Sequence, residues 1–396
     1  MPVFVRYAAV LRAPGAAPAL AASLLGRLAL GMTGLALLLL VRQSSGSYAA
    51  AGAVAASYAV ALALAAPVRA RSADRRGPVR VLIACGLLHP VALGSVVVLA
   101  ALHAPALLLV VPTVLAGTTV PPLGAVMRAL WGELAPGEAL PTAYSLESVV
   151  VELCFVTGPV LVALLATTLG PGSAVLVAGA VTTAGALWLT SVPALRAVAP
   201  HPARPRSFAG PLVSPVVRAL LLTVLAVGAG FGALEVALPA YVEEQGSRPG
   251  AAGVLLAVWS LGSVTGGLVY GGLHLPVPHT RQQPWLAAAL TVGTALPLLA
   301  TGPVVMGALL VGYGLAIAPF FTCNSVLVGA AAPAGTTTEA FAWNASMIFG
   351  GAALGNAVAG TVAERYGATA ALLVTAATGL CVLAAALRGV AALRTA

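Results

Sequence analysis

The sequence predicts an all-α polytopic membrane protein, with twelve transmembrane helices in two pseudo-symmetric six-helix halves. Three observations lead to this prediction: a lipid-facing composition, twelve long apolar segments and an internal repeat. Of the 396 residues, 60% are apolar and only 7% are charged, whereas soluble domains carry about 25% charged residues. Ten acidic and nineteen basic side chains are too few to cover a water-facing surface of this size, so most of the surface must face lipid.

Twelve segments are long and apolar enough to cross a bilayer, which takes about 20 residues of α-helix. Turn-forming residues or charges separate them, for example the Gly-Pro-Gly sequence at 170–172. The ninth and tenth segments are divided only at Gly302-Pro303. The predicted spans are residues 19–41, 48–67, 81–101, 106–127, 143–168, 173–193, 215–241, 250–273, 285–301, 303–330, 338–362 and 367–387.

The longest polar and proline-rich gap divides these spans into six and six. We therefore expect a six-helix bundle over residues 1–193 and a second one over residues 215–396. The gap itself, residues 194–214, is expected to be a cytoplasmic linker between the two bundles.

The two halves also repeat one another weakly in sequence. At an ungapped offset of 197 residues, the end of the fourth predicted span and the whole fifth align with the tenth and eleventh. Identity is only slightly above the chance level for this composition, so the matched prolines and the equal spacing carry the argument. Matched positions include Gly117 with Gly314, Pro122 with Pro319, Pro136 with Pro333 and Gly158 with Gly355. Parallel six-span repeats are typical of transporters whose halves move as bodies around a central site.

The distribution of arginine predicts the orientation in the membrane. All nineteen basic residues are arginines. If the N-terminus is cytoplasmic, fifteen of them fall in cytoplasmic segments, one (Arg27) falls within a span, and three (Arg42, Arg248 and Arg365) fall outside. By the positive-inside rule, both termini are then cytoplasmic and the protein is a multi-pass protein of the cell (inner) membrane.

Several other classes of function are disfavoured by the sequence. The arginines form no single patch and accompany no recognition motif, which argues against a nucleic-acid partner. The four cysteines lie in separate apolar runs without a CxxC pair, so we expect no metal site and no cofactor. A membrane enzyme is a remote alternative, because metal-dependent phosphotransfer or prenyl transfer needs clusters of aspartate or histidine and Asp74 is the only aspartate.

A motif follows the second predicted span, where residues 70–80 read Ala-Arg-Ser-Ala-Asp-Arg-Arg-Gly-Pro-Val-Arg. Together with twelve spans in two halves, it resembles the cytoplasmic signature of the major facilitator superfamily, Gly-x-x-x-Asp-Arg-x-Gly-Arg-Arg. Asp74, Arg75 and Gly77 match the signature, while its leading glycine and trailing basic pair are absent. The resemblance implies that Asp74 latches the two halves in the outward-facing state. On charge alone, Asp74 could cap a helix or hold an arginine, or the loop could simply set the topology.

A second and weaker resemblance is to the proton-driven drug exporters of this superfamily. They carry Gly-x-x-x-Gly-Pro-x-x-Gly-Gly in the fifth span, and this chain keeps the central Gly158-Pro159. Glycine and proline there would permit close packing and a kink. The arginine that the exporters carry in the middle of the fourth span is missing, since Arg128 lies at the end of that segment.

Four charged residues fall well inside predicted spans, where each costs roughly 2.5–3.5 kcal/mol. Arg27 and Glu147 lie at similar depths in the first and fifth spans, so they could form an ion pair with either a structural or a substrate-binding role. Glu152 lies deeper in the fifth span and is the expected proton carrier. Glu235 in the seventh span is the second candidate, or it could turn outward with nearby glutamates.

Polar and aromatic residues of several spans could line a ligand cavity, where aromatic rings stack on flat or cationic ligands. Ordinary interhelical packing is the alternative. The candidates are Tyr144, Asn324, Phe341, Trp343 and Asn344, with Trp259 and Asn356 as further possibilities.

These features predict a secondary transporter that exports a small amphipathic drug or metabolite in exchange for protons by alternating access. Its expected partners are the small-molecule substrate, the proton and membrane lipid, and it is expected to act as a monomer. No GxxxxGK[ST] sequence is present, so the chain itself is not expected to hydrolyse ATP. An importer of a small nutrient, or a lipid flippase of the same fold, remains open because the sequence does not reveal the direction of transport.

Overall fold

The computed structural model describes residues 3–198, 210–246, 250–273 and 275–395. Within these ranges the chain forms α-helices and three short 3-10 turns, and no strand. The α-helices are α1 (Val3–Arg12), α2 (Ala16–Arg27), α3 (Ala29–Ser45), α4 (Tyr48–Arg76), α5 (Pro78–Ala101), α6 (Ala106–Thr118), α7 (Leu123–Leu134), α8 (Leu140–Leu169), α9 (Pro171–Ser191), α10 (Pro193–Ala197), α11 (Pro215–Glu244), α12 (Gly250–Gly272), α13 (His279–Ala295), α14 (Pro303–Gly314), α15 (Ile317–Ala331) and α16 (Thr337–Thr395).

Ten helical segments of the described chain are long and apolar enough to cross a membrane. One of them, Thr337–Gly389, contains two crossings, because the backbone of α16 leaves the helical conformation at Gly367, with φ 82°. The ninth predicted span corresponds to α13, a shorter helix of 17 residues that continues into the 3-10 turn Leu296–Leu299. The described segments therefore account for twelve crossings, and the predicted all-α polytopic fold is confirmed.

The break at Gly367 is stabilised by a carboxylate from another helix. Glu244, at the end of α11, accepts a hydrogen bond from the backbone N–H of Ala368 at 2.6 Å. A Cβ at position 367 would lie 2.7 Å from the same carboxylate. Glycine is required here both for its positive φ and for room, and the carboxylate satisfies a free N–H at the start of a new helix.

The fourth predicted span is broken in the middle. Helix α6 ends at Thr118 and α7 begins at Leu123, with Pro121 and Pro122 between them. Proline has no N–H to donate and disfavours helical geometry in the residue before it. The break therefore follows directly from the sequence, and it leaves carbonyl groups at the end of α6 that need other donors.

The helices form two compact units. The N unit comprises Leu11–Leu134 and Val150–Arg206, and the C unit comprises Met1–Val10, Ala135–Val149 and Ser207–Ala396. Helix α8 contributes its first part, as far as Val149, to the C unit and its remainder to the N unit. The predicted halves differ from these units, because they assign residues 1–10 and 135–149 to the N-terminal half. The division into halves at the linker remains a prediction. Residues 199–209 of that linker lie outside the described residues.

Glycines set the closest helix contacts inside the N unit. A Cβ at Gly158 of α8 would lie 2.6 Å from the carbonyl carbon of Gly31 in α3, and one at Gly117 of α6 would lie 2.5 Å from the carbonyl oxygen of Tyr58 in α4. Small residues allow backbones to approach in this way. Gly158, predicted as a kink position, therefore lies at a helix crossing, and α8 continues through Gly158 and Pro159 without a break.

The C unit uses the same device between its own helices. Gly228 and Gly232 of α11 face the backbone of α16, and Gly351 and Gly355 of α16 face the backbone of α11; a Cβ at any of these four positions would collide with main-chain atoms. Gly314 of α14 is packed in a similar way against the backbone of α12. Close backbone contact is therefore how both units hold their spans together in a lipid environment.

Candidate functional site

Arg27 is the last residue of α2 and is 4% exposed. Its guanidinium lies against Gly124 in the first turn of α7, where a Cβ would be 3.4 Å from the guanidinium carbon. The glycine makes room for a cation inside the N unit. The predicted pairing of Arg27 with Glu147 remains a prediction.

The two glutamates of α8 differ in burial. The side chain of Glu147 is fully buried, whereas that of Glu152 is only half-buried. Five residues apart, they point about 140° away from each other around the helix axis. Of the two, only Glu152 exposes part of its side chain.

Glu235 lies about 14 Å before the end of α11, at 1.5 Å per residue. Its side chain is exposed and forms a hydrogen bond with the amide of Asn356 on α16. The sequence left open whether Glu235 turns outward with the glutamates at the end of α11. One of those, Glu244, is engaged at the start of another helix, and Glu235 has its own partner on α16.

An aromatic cluster lies one turn from Glu235. Phe231 packs edge-on against Trp259 of α12, with ring centroids 5.0 Å apart, and lies 6.0 Å from the ring of Phe321 on α15. Trp259 is 9% exposed, and its indole Nε1 has no hydrogen-bond partner among the described residues. The cluster joins three helices of the C unit around a single ring, that of Phe231.

Three amide side chains form a buried chain in the C unit. Gln283 of α13 donates to Asn324 of α15 at 3.3 Å, and Asn324 donates to Asn344 of α16 at 2.8 Å. All three are at most 2% exposed. Asn324 and Asn344 thus tie three helices together in the interior, and their predicted role in lining a ligand cavity remains a prediction.

The remaining predicted lining residues are aromatic. Tyr144 and Phe341 are buried and make an edge contact, with centroids 5.9 Å apart. Trp343 is half-buried, and its Nε1 has no hydrogen-bond partner in the described part of the chain. Tyr144 and Phe341 therefore pack with each other, and the indole N–H of Trp343 is buried.

The predicted latch lies at the turn between α4 and α5. Asp74 is half-buried and Arg75 is exposed, both in the last turn of α4. Gly77 ends α4 and precedes α5 with φ 88°, a conformation that requires glycine. A cavity of about 460 Å³ opens beside this turn and is lined in part by Arg76, Arg80 and Arg196.

Arg69 and His89 contact the free backbone carbonyls at the end of α6, where the fourth span is broken. The sequence did not predict this role. The guanidinium of Arg69 donates to the carbonyls of Gly117 at 3.1 Å and Thr118 at 2.8 Å. The imidazole Nδ1 of His89 lies 3.0 Å from the carbonyl oxygen of Ala116. The Pro121-Pro122 sequence could have indicated this role, because a helix that ends before two prolines leaves carbonyls that need other donors.

Three hydroxyl groups contact the last turns of α12, also unpredicted. Thr142 donates to the carbonyl of Gly271 at 2.6 Å, Tyr7 donates to that of Leu268 at 2.9 Å, and Ser145 donates to that of Gly267. Residues 135–149 and α1 are thereby bound to α12 within the C unit. Tyr7 lies outside the spans, and burial raises the pKa of its hydroxyl, so it stays a donor at neutral pH.

Several solved transporter structures share this fold. The human organic anion transporter MFSD10 (TETRAN) aligns with a TM-score of 0.73 at 19% identity, over 93% of this chain and 99% of that one. A bacterial homologue of the iron transporter ferroportin, in an outward-facing state, gives 0.79 at 13% identity, over 94% and 98%. The proton:xylose symporter XylE gives 0.70 at 13% identity, over 93% and 94%. At these identities the likeness shows the fold alone.

No curated protein matches the chain in sequence. The sequence profile of the Major Facilitator Superfamily, by contrast, matches residues 19–350, which is most of the chain. The match covers the segment with Asp74, Arg75 and Gly77, and it agrees with the twelve helical crossings of the described residues. The chain therefore belongs to the Major Facilitator Superfamily and is a multi-pass membrane transporter of that family.

Proposed function

We propose that the chain is a secondary active transporter that exports a small amphipathic compound, a drug or a metabolite, in exchange for protons. The observation that carries the proposal is Glu152, a half-buried carboxylate in the middle of a membrane-spanning helix. A carboxylate at such depth is expensive and usually marks an ion or proton pathway. Partial exposure gives it access to water, and we assign to it the role of proton carrier.

The local packing supports a fixed position for this carboxylate. Glu152 precedes by six residues the crossing at which Gly158 of α8 meets Gly31 of α3. Two backbones in contact hold that part of α8 firmly in the N unit. The depth of Glu152 is then set by the helix crossing, and only its access to water needs to change during transport.

Asp74, Arg75 and Gly77 are proposed to form the conformational latch. The left-handed turn at Gly77 orients the end of α4 against the start of α5, and Asp74 lies three residues earlier as the only aspartate of the chain. Removal of its charge should shift the balance between the two faces of the cycle without abolishing ligand binding.

We further propose that both termini are cytoplasmic, that the protein lies in the cell (inner) membrane and that it acts as a monomer. The orientation rests on arginine, because fifteen of the nineteen arginines then lie on the cytoplasmic side. Cysteines introduced at the exposed residues 76 and 245 test it. A membrane-impermeant maleimide should label residue 245 in intact cells and residue 76 only after permeabilisation; the reverse pattern would invert the topology.

An importer of a small nutrient, or a lipid flippase, is the alternative function. The structural neighbours are described as carrying organic anions, iron and xylose, so a shared fold does not choose the substrate. A buried amide chain such as Gln283–Asn324–Asn344 would suit a hydroxyl-rich nutrient if the helices opened around it.

Transport by the purified protein in proteoliposomes tests the proposal. Uptake of a compound panel would be followed with an imposed pH gradient, with no gradient, and with the gradient collapsed by an ionophore. Accumulation of amphipathic compounds that disappears with the gradient is the expected result. Flux of sugars or amino acids down their own gradients, with no pH-linked flux of any amphipathic compound, would replace the exporter with the importer.

A further inference from the structure

Glu235 differs from the other two glutamates that lie well inside predicted spans, away from the span ends. Glu147 is fully buried and Glu152 is half-buried, whereas the side chain of Glu235 is exposed on the surface of α11. A charged group inside a span nearly always faces the bundle interior or a water-filled cavity and has a partner there. The position of Glu235 therefore calls for a partner.

The partner that the chain itself supplies is neutral. The amide of Asn356 forms a hydrogen bond with Glu235 but brings no positive charge. No residue of the described ranges forms an ion pair with Glu235, and the nearest preceding arginine on α11, Arg218, lies about 25 Å away along the helix. Asn356 orients the carboxylate, and its negative charge remains available to a cation.

An aromatic surface adjoins this carboxylate. Phe231 precedes Glu235 by four residues, so the two side chains are neighbours on one face of α11. Phe231 in turn packs on Trp259 and lies close to Phe321. Phenyl faces attract cations through the ring quadrupole, and Phe231 and Phe321 are partly exposed, whereas Trp259 is buried behind Phe231. The Nε1 of Trp259, buried and without a partner in the described chain, adds a polar atom in the same cluster.

We propose that Glu235, Asn356 and the Phe231–Trp259–Phe321 cluster form a ligand site in the C unit, and that this site binds an organic cation carrying apolar groups. The cationic centre pairs with Glu235, and the apolar groups pack on the rings. The inference rests on the proposed function and specifies that the exported amphipathic compound is positively charged. An anion of the same shape would be repelled by the negative charge of Glu235 and should not bind at this site.

Binding of radiolabelled tetraphenylphosphonium to the purified protein in a non-ionic detergent tests the site directly. Tetraphenylborate has the same shape and the opposite charge, so it separates charge recognition from apolar adsorption. We expect saturable binding of the phosphonium, no saturable binding of radiolabelled tetraphenylborate in a separate sample, and a loss of phosphonium affinity of roughly tenfold or more in Glu235→Gln. Absence of saturable phosphonium binding, or equal affinity for the two ions, would overturn the proposal.

Matched variants identify which residues bind the phosphonium. Glu243→Gln makes the same change on the same helix at an exposed position two turns later, and it should bind within twofold of the wild type. Phe231→Leu removes the ring face and keeps an apolar side chain, and it should weaken binding several-fold. Wild-type affinity in Glu235→Gln, or equal losses in Glu235→Gln and Glu243→Gln, would contradict the assignment.

A measurement on the unmodified protein covers the case in which Glu235→Gln does not fold. Dicyclohexylcarbodiimide modifies carboxyl groups in apolar surroundings, and the modified residue can be located by mass spectrometry. Tetraphenylphosphonium should protect Glu235 from modification and leave the reactivity of Glu243 unchanged. Modification of Glu235 that is unaffected by saturating phosphonium would reject the site.

Two sources of such a cation can be told apart. A free organic cation and the ammonium headgroup of phosphatidylethanolamine share the same chemistry. If detergent-solubilised phosphatidylethanolamine displaces the phosphonium in proportion to its concentration and phosphatidylglycerol does not, the site takes a lipid amine; if neither displaces it, the site takes a free compound. Displacement by both lipids alike would show that the charge is not recognised.

This binding is measured without a pH gradient, so the site and the proposed transport reaction can fail separately. Phosphonium binding that depends on Glu235, without any proton-linked flux, keeps the site and rejects the exporter. Proton-linked flux of neutral or anionic compounds, without phosphonium binding, keeps the exporter and rejects the site.

Discussion

The N unit and the C unit hold their spans together by the same backbone contacts but fill their interiors with different polar chemistry. Gly117 of α6 packs on the backbone at Tyr58 and Leu62 of α4, and Gly314 of α14 packs on the backbone at Trp259 and Ser263 of α12. Each glycine meets the carbonyl of an aromatic residue and the N–H four residues later. The helix crossing is therefore repeated in detail, although few side chains are.

The polar groups beside these crossings are not repeated. In the N unit, Arg69 and His89 supply donors to the open end of α6. In the C unit, the neutral amides Gln283, Asn324 and Asn344 join α13, α15 and α16. The two units therefore share the glycine-mediated helix crossing but differ in the polar side chains beside it. We expect the functional residues to be among the side chains that differ.

The largest expected effect comes from breaking the repeated crossing itself. Gly117→Ala and Gly314→Ala each place a Cβ against main-chain atoms that cannot move aside. Overpacking of this kind typically costs about 1–3 kcal/mol, so both variants should melt well below the wild type in detergent, and by similar amounts. Gly34→Ala and Gly253→Ala, where a Cβ would meet nothing within 4 Å, are the controls and should melt at or above the wild-type temperature. A loss in only one of the two crossing variants would mean that the crossings are not equivalent.

The next largest effects are expected from substitutions of the buried polar side chains in which the two units differ. Arg69→Met leaves buried carbonyls without their donor, at about 1–3 kcal/mol, whereas Arg76→Met at an exposed position of the same helix should be nearly neutral. Asn324→Leu should also destabilise, but the double variant Asn324→Leu/Asn344→Leu should cost less than the sum of the two single variants, since the hydrogen bond between Asn324 and Asn344 can be lost only once. Thermal melting of the wild type and these five variants measures this, and strict additivity would argue against a coupled amide chain.

A smaller effect is expected at the latch, which is confined to the N unit. The corresponding connection in the C unit, residues 273–278, has no acidic residue. Asp74→Asn should cost about 0.3–2 kcal/mol in one conformational state, which shifts the ratio of inward to outward accessibility several-fold. Cysteine accessibility on the two sides of the membrane measures the ratio, with Glu243→Gln as the reference. An unchanged ratio would leave Asp74 as a determinant of topology only.

The smallest effect is expected at Tyr7, which anchors α1 to α12 in the C unit. Tyr7→Phe removes one hydrogen bond and should cost about 0.5–1.5 kcal/mol. Burial raises the pKa of Tyr7 above its ordinary value, so the bond is present below about pH 10 and is lost only as the pH rises through the raised pKa. The difference in melting temperature between wild type and Tyr7→Phe should therefore be constant from pH 6 to about pH 9. A difference that changes within that range would point to another group.

The comparison also explains what the sequence could and could not reveal. The spans and the importance of Gly158 are local signals of hydropathy and backbone geometry, so they could be predicted. The fourth span was predicted as continuous over 106–127, although Pro121-Pro122 was a local signal for the break that the structure shows. The donors to the broken span could not be predicted, because Arg69 is 48 residues from Gly117 in sequence and looks like one more arginine beside a span. Glu235 was found as a charge in a span, but its contact with Asn356 and its place beside Phe231 and Trp259 depend on how four helices pack.

The role of Glu152 as proton carrier is tested by comparing Glu152→Gln with Glu133→Gln in proteoliposomes, since Glu133 is an exposed glutamate at the end of α7. Counterflow of substrate without a pH gradient and uphill accumulation with one would be measured on the same preparations. Glu152→Gln should keep counterflow and lose accumulation, because a neutral amide can neither take up nor release a proton, and Glu133→Gln should keep both. Uphill accumulation by Glu152→Gln at the wild-type ratio would show that Glu152 is not the proton carrier and make Glu235 the next residue to test.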